Sequence, residues 1–283
     1  MNNTMSNPIS EQQKEIWNKY APGWDKWDNL TMDISKPAGD AMIHSLYLKG
    51  DENILDIACG TGEPGLTMAR ILKKGKVTGI DQAQGMLAIA KAKADRLDIK
   101  SYETRTGEAS RLPFPNGTFD AVTCRYGFMF FPDMGAVTNE IYRVLAPGGR
   151  VAIAVWDKPE KNPWVIMIMG TIMEKLGITP PPPGGPGMFR CAEKGMMAAL
   201  FQKSGFVNVS EGIVAATLNI GTAQNYWDFM TEVGAAIVVA LSKATPGQRE
   251  EIKNEVIRKT KKRYPEEPIA IAASSLVIYG EKN

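Results

Sequence analysis

The stretch Asn53-Ile54-Leu55-Asp56-Ile57-Ala58-Cys59-Gly60-Thr61-Gly62-Glu63-Pro64-Gly65 reads as a strand, a turn and the start of a helix. The apolar run 53–58 has the length and composition of a buried strand. Gly60, Gly62 and Gly65 turn the chain, and a helix begins over 66–72 with Pro64 near its start. Strand, glycine turn and helix N-terminus together make a corner where backbone can approach an anion or a ribose closely. Gly60-x-Gly62-x-x-Gly65 fits the dinucleotide fingerprint, a motif that by itself does not choose the ligand.

Downstream, 76–81 reads as a second strand that ends in Asp81, 21 positions beyond Gly60. That is the spacing at which an acid meets ribose hydroxyls in nucleotide-binding α/β folds. A helix over 84–97 follows, then a third strand over 100–106, a fourth over 118–125, a helix over 134–145 and a fifth strand over 150–156. Pro147-Gly148-Gly149 is expected to stop the last of these helices. Strands alternating with helices predict crossover units on a parallel sheet.

The flanks are different in character. Residues 1–10 are polar and predicted to fray. A short amphipathic helix is expected from Glu11, carrying Ile16, Trp17 and Tyr20, with Pro22-Gly23 breaking it and a further helix over 37–48. The aromatics Trp17, Tyr20, Trp24 and Trp27 suit either packing onto the domain or a lid over a ligand. Beyond Trp156 a loop over 158–163 leads to an apolar helix over 164–176, expected to be buried on most sides, and a Pro/Gly hinge over 180–187. Helices are expected over 193–204, 224–243 and 248–262, with strands over 206–220 and 269–279. The expected organisation is one structural domain: an N-terminal helical lid (1–48), a nucleotide-binding core (49–156), and a segment (157–283) that completes the sheet with cover helices at 157–200 and 222–265.

Composition narrows the function. Lys and Arg number 33 against 31 Asp and Glu, which gives no field for tracking a nucleic-acid backbone. The basic run Arg258-Lys259-Thr260-Lys261-Lys262-Arg263 reads as the solvated face of a helix. Cys59, Cys124 and Cys191 are too scattered for a disulfide framework or a zinc site, so no metal is expected and a cytoplasmic setting is. No signal peptide is apparent. The most apolar run, 164–173, is about half the ~20 residues of a bilayer span.

Five motifs in order carry a resemblance: Asp56-x-Ala58-Cys59-Gly60-Thr61-Gly62, Asp81, Gly107-Glu108-Ala109-x-x-Leu112-Pro113-Phe114, Phe119-Asp120-Ala121-Val122, and Arg143-Val144-Leu145-Ala146-Pro147-Gly148-Gly149. Over 50–156 the chain resembles the class I S-adenosylmethionine-dependent methyltransferases. It is most similar to the small-molecule branch that includes the ubiquinone and menaquinone C-methyltransferases, a likeness shared by Trp17-x-x-Tyr20 and Trp24-Asp25. The resemblance implies a Rossmann-like doubly wound α/β fold with a seven-stranded sheet, order 3-2-1-4-5-7-6, last strand antiparallel, plus helical cover insertions. It also implies the cofactor contacts. Ala58, Gly60, Thr61 and Gly62 would lie against the methionine moiety, with Asp56 organising its amino group. Asp81 would take the ribose hydroxyls, and Gln82 and Met86 would flank the adenine. Gly107, Glu108 and Ala109 would meet the adenine edge. Arg125 would offer its carbonyl to the amino group, and Tyr20 would be a lid contact. Where Glu108 stands the family often has Asp. Charge supports this cofactor over a nicotinamide one, because a carboxylate at position 56 repels a pyrophosphate and suits an ammonium and a sulfonium.

Methyl transfer from a sulfonium needs alignment and exclusion of water more than a dedicated base. His44, Tyr20, Arg125 and Tyr126 are the candidate catalytic residues. Trp164, Met167, Tyr226, Phe229 and Met230 are rich in flat or flexible apolar groups and predict a small hydrophobic or aromatic acceptor, methylated on carbon or oxygen. A protein that binds the cofactor without turnover would carry the same motifs. Methylation of nitrogen, of thiolates or arsenic, or of nucleic acid is the other alternative. The last would want an Asn/Asp-Pro-Pro-Tyr loop where Arg125-Tyr126-Gly127-Phe128 stands.

Overall fold

Residues 8–179 and 184–283 are described in a computed structural model of the chain. Helices and strands follow one another as α1 (Pro8–Lys26), α2 (Asp28–Ser45), β1 (Asn53–Ile57), α3 (Gly65–Ile71), β2 (Lys76–Asp81), α4 (Gln84–Arg96), β3 (Tyr102–Thr106), β4 (Phe119–Arg125), α5 (Met134–Val144) and β5 (Leu145–Trp156). The second half adds α6 (Pro163–Leu176), α7 (Met196–Lys203), β6 (Val207–Gly221), α8 (Ala223–Val233), α9 (Ala235–Leu241), α10 (Pro246–Arg263) and β7 (Ile269–Glu281). The seven strands form one sheet in the order β3-β2-β1-β4-β5-β7-β6, as the motifs implied. β1 to β5 are parallel, and β7 runs antiparallel to both β5 and β6.

The central strands are apolar on both faces because helices cover both. Ile54, Leu55 and Ile57 of β1 and Val151 to Val155 of β5 are buried. On β2, Gly79 is bare so that the ring of Tyr102 can cross it: a Cβ built there would lie 2.4 Å from the Tyr102 hydroxyl and 2.9 Å from Cys59 Sγ. Gly79→Ala is therefore expected to cost about 1–3 kcal/mol by overpacking, read as a lowered midpoint in chemical denaturation. An unchanged midpoint would mean that Tyr102 moves aside freely.

Several boundaries differ from expectation. α1 runs through Pro22-Gly23 without a break. Tertiary packing overrides the local signal there, since Gly23 is pressed so closely on α8 that an added Cβ would meet the Glu232 carbonyl oxygen at 2.2 Å. α2 starts at Asp28 rather than at position 37 and carries Pro37 inside it; Thr31, Ile34, Ala38 and Met42 form its buried stripe. Asp28 is also ion-paired to the buried Lys93 of α4. The helix expected over 224–243 is two, α8 and α9, separated at Gly234, where a Cβ would meet Met230 O at 2.7 Å. β5 begins at Leu145, with a register shift against β4 that accommodates Pro147–Gly149. α6 is less enclosed than its composition suggests, with Ile166 and Gly170 exposed. Of the fraying segment, residues 8–10 belong to α1 and residues 1–7 lie outside the described residues, as do 180–183 of the expected Pro/Gly hinge.

Candidate functional site

The residues expected to touch the cofactor in the glycine motif, at Asp81, at Gly107–Ala109 and at Arg125 fall at or just after the C-terminal ends of β1, β2, β3 and β4, the edge at which open α/β sheets take ligands, whereas Phe119–Val122 opens β4 and Arg143–Gly149 joins α5 to β5. Between β1 and α3 the chain turns tightly. Ala58 (φ +52°), Gly60 (φ +52°) and Gly62 (φ +108°) are all left-handed, and the Gly62 N–H donates to Cys59 O at 2.9 Å. No described residue lies within 4 Å of a Cβ built on Gly60, so backbone conformation rather than space asks for glycine there. Gly65 is the opposite case: a Cβ would lie 2.9 Å from Asp56 Oδ2.

Two carboxylates bracket the turn. Asp81, at the tip of β2, accepts from the Gly60 N–H at 3.0 Å through Oδ2 and from the Ala83 N–H at 2.9 Å through Oδ1. Burial raises its pKa, and the backbone donors pull it back down. Asp56, near the tip of β1, is fully buried. It accepts from Thr123 Oγ1 at 2.7 Å and from the Gly65 N–H at 3.2 Å. Burial pushes its carboxyl up to about 7, against the pull of the Thr123 hydroxyl and the Arg125 charge. A buried acid held so close to neutrality fits a ligand that brings a cation beside it. Gly107 donates to Asp81 O at 3.0 Å, which draws Gly107, Glu108 and the buried Ala109 to the same edge.

Helix α1 lies across these strand tips. Ser10 Oγ is 2.9 Å from Gln82 Oε1 and 2.7 Å from Glu108 Oε1, and Asn18 Oδ1 accepts from the Gly85 N–H at 2.8 Å. Trp17, Ala21 and Trp24 pack with Ala83 and the buried Met86, and Trp17 meets Phe130 edge-on at 5.4 Å. At its other end Lys26 Nζ and Trp27 Nε1 both donate to Glu232 of α8. Tyr20 is buried on this helix and lines a cleft with Pro22, Gly23, Thr231 and Glu232. Gln82 and Glu108, far apart in sequence, thus share a partner in Ser10.

The remaining candidates separate. Arg125 ends β4, and its guanidinium lies near Gly39 of α2, where a built Cβ would be 3.4 Å from Nη1. Tyr126, at φ +62°, stacks on Trp156 at 4.1 Å with 5° between the rings. Its hydroxyl bonds Ser275 Oγ of β7 at 2.8 Å, and burial pushes the phenol up to about 12. Such a phenol keeps its proton at neutral pH. His44 is exposed in the last turn of α2, with its ring 6.1 Å from that of Tyr47. Arg150, paired with Ala121 near the start of β4, reaches the adjoining carbonyls of Leu46 and Tyr47. His44 therefore stands at the N-terminal end of the parallel strands, opposite the glycine turn, and the structure does not bring it to the site.

Sequence reasoning passed over Thr123, Ser10 and Asn18. Thr123 had a signal, a hydroxyl within the buried apolar stretch Ala121–Cys124, and it pairs in register with Asp56. Ser10 and Asn18 had none, because each acts on a partner more than sixty positions away. Among the described residues no cluster of three or more His, Cys, Asp or Glu could hold a metal ion, and no helix is long and apolar enough to cross a membrane.

The strand order and the acid-bracketed glycine turn define an α/β protein with a cofactor corner at its strand tips. A methyltransferase domain matches residues 54–149. The demethylmenaquinone methyltransferase of Listeria welshimeri is 30% identical over 162 residues, covering 56% of this chain and 69% of that one. The YcgJ protein of Bacillus subtilis shares the fold with a TM-score of 0.58 at 20% identity, over 87% of this chain and 98% of that one. The [4+2]-cyclase SpnF shares it with a TM-score of 0.60 at 18% identity, over 97% of both chains. The chain belongs to the class I S-adenosylmethionine-dependent methyltransferases, on the branch that holds the menaquinone and ubiquinone enzymes.

Proposed function

We propose that this enzyme methylates a small apolar, aromatic acceptor on carbon or oxygen, with the cofactor lying across the tips of β3, β2, β1 and β4. The observation that carries the reading is the pair Asp56 and Asp81 on either side of the left-handed turn, one fully buried with its carboxyl raised to about 7, the other already holding Gly60 and Ala83. S-adenosylmethionine, when bound, supplies a methyl group on a sulfonium that leaves as a neutral thioether. In this reading Asp81 takes the ribose hydroxyls, and Gln82, Met86, Glu108 and Ala109 hold the adenine. Ala58, Gly60, Thr61 and Gly62 give backbone to the methionine moiety, and Asp56 and the Arg125 carbonyl settle its ammonium. Helix α1 acts as the lid that excludes water, with Ser10 at the adenine end and Tyr20 facing α8.

The acceptor class rests on the relatives, whose name makes demethylmenaquinone their substrate, and on the apolar cover helices, where Trp164, Tyr226, Phe229 and Met230 are buried together. No side chain is assigned as base; the acceptor proton leaves to water. The three cysteines are free thiols, all buried, which suits the cytoplasmic setting we infer. Calorimetric titration with S-adenosylhomocysteine, with NAD as control, tests the cofactor site. Micromolar binding of the first alone is expected, and binding of NAD alone would overturn the reading. Transfer of labelled methyl to highly charged polar acceptors only, in a screen that includes naphthols and phenols, would overturn the acceptor class.

A further inference from the structure

Two buried side-chain polar atoms have no hydrogen-bond partner among the described residues, the Tyr102 hydroxyl and Trp24 Nε1. Tyr102 is accounted for by its packing over Gly79 against the Cys59 thiol. Trp24 is not. Its ring borders Trp17, edge-on at 6.1 Å, and the apolar cluster of Ala21, Ala83 and Met86. A buried donor left unpaired in a folded protein calls for a specific explanation, and a ligand is one.

The position of Trp24 along α1 says which ligand. Ser10 marks the adenine end, bonded to Gln82 after β2 and Glu108 after β3. From Ser10 to Trp24 the helix rises roughly 21 Å, and on the way Asn18 holds the Gly85 N–H at the start of α4. Trp17 already reaches Phe130 beyond β4, and Trp27 is bonded to α8. Trp24 therefore stands between the Ala83–Met86 start of α4 and the Glu232 end of α8, on which its neighbours Gly23 and Lys26 rest.

Resting on the methyltransfer reading above, we propose that Trp24 Nε1 donates a hydrogen bond to an oxygen of the methyl acceptor. The acceptor is then a flat apolar molecule bearing a hydroxyl, enolate or carbonyl oxygen next to the atom that receives the methyl group. An indole N–H donates only, so its partner must be a hydrogen-bond acceptor. A phenolic or enolic oxygen is also what makes a neighbouring carbon nucleophilic. A donor fixed on a packed helix holds that oxygen, and with it the ring, in one orientation to the methyl group.

The test uses the full chain labelled with 15N at the indoles, its Trp24→Phe variant, and 1-naphthol and naphthalene as probes. The indole resonance missing from Trp24→Phe is expected to stay in place when S-adenosylhomocysteine is added and to shift when 1-naphthol follows. Wild type is expected to prefer 1-naphthol to naphthalene, and Trp24→Phe to bind 1-naphthol about tenfold more weakly while keeping its affinity for S-adenosylhomocysteine. A shift with S-adenosylhomocysteine alone would give the donor to the cofactor and overturn the proposal. Equal preference for 1-naphthol in both proteins, or no binding of 1-naphthol, would overturn it too. Absence of S-adenosylhomocysteine binding to wild type is a separate result, which would fall on the methyltransfer reading itself.

Discussion

Asp81→Ala is expected to weaken S-adenosylhomocysteine binding by at least tenfold and to loosen the turn that binds it. A charge-assisted hydrogen bond to ribose accounts for about 1.5–3 kcal/mol. The side chain also braces the backbone, because its two oxygens hold the N–H groups of Gly60 and Ala83 and so fix the turn after β1 and the start of α4. Without it both donors are stranded in a half-buried site. The calorimetric loss should therefore come with a lowered thermal midpoint in the ligand-free protein. In Asp81→Asn one acceptor oxygen remains, so that variant should keep part of the midpoint while still losing affinity. Unchanged affinity in both variants would remove Asp81 from the site.

Asp56→Asn is expected to uncouple both stability and cofactor binding from pH. The folded-state carboxyl is raised from an ordinary 3.8 to about 7, chiefly by burial. Between those values the folded protein holds a proton that the unfolded chain has lost, so stability falls as pH rises from about 4 to 7 and then levels off. The full difference corresponds to about 4 kcal/mol. Thermal midpoints of the ligand-free wild type should drop over this range, and those of Asp56→Asn should drop less. The asparagine fits, since its oxygen can accept from Gly65 while its amide donates to the Thr123 hydroxyl. A ligand ammonium beside Asp56 favours the ionised form. Calorimetry of S-adenosylhomocysteine near pH 6, in buffers of different ionisation enthalpy, should therefore show proton release by wild type and little by Asp56→Asn. Affinity of wild type should rise from pH 6 to pH 8. A flat profile with no proton release would mean that Asp56 is ionised throughout, and that Thr123 and Arg125 outweigh its burial.

The core was legible because its signals are local. An apolar run that ends in Asp56, a turn built of glycines and a strand that ends in Asp81 sit within thirty residues, and each is read from its own neighbours. The edges were less legible. Pro22-Gly23 is a strong breaker in isolation, yet α1 passes through it because Trp17, Trp24 and Trp27 bury against the body and Gly23 fits closely on α8. Gly234 gave too weak a signal to divide α8 from α9, and what it divides is fixed by contact with Ile237. The single histidine drew a catalytic role from its chemistry, but α2 runs against the direction of β1 and leaves it at the far end of the sheet.

By itself the sequence determined the alternation of strands and helices, the glycine turn and the two acids that close it, because backbone freedom, hydrophobic period and motif spacing are properties of short segments. The tertiary structure alone decided that Thr123 would meet Asp56, that Ser10 would join Gln82 to Glu108, that Tyr126 would be stacked on Trp156 and tied to Ser275, and that the Trp24 indole would be buried without a partner among the described residues. These pairings cross the sheet or link α1 to the strand tips. They are settled by which surfaces exclude water together, and no short window of sequence contains that choice.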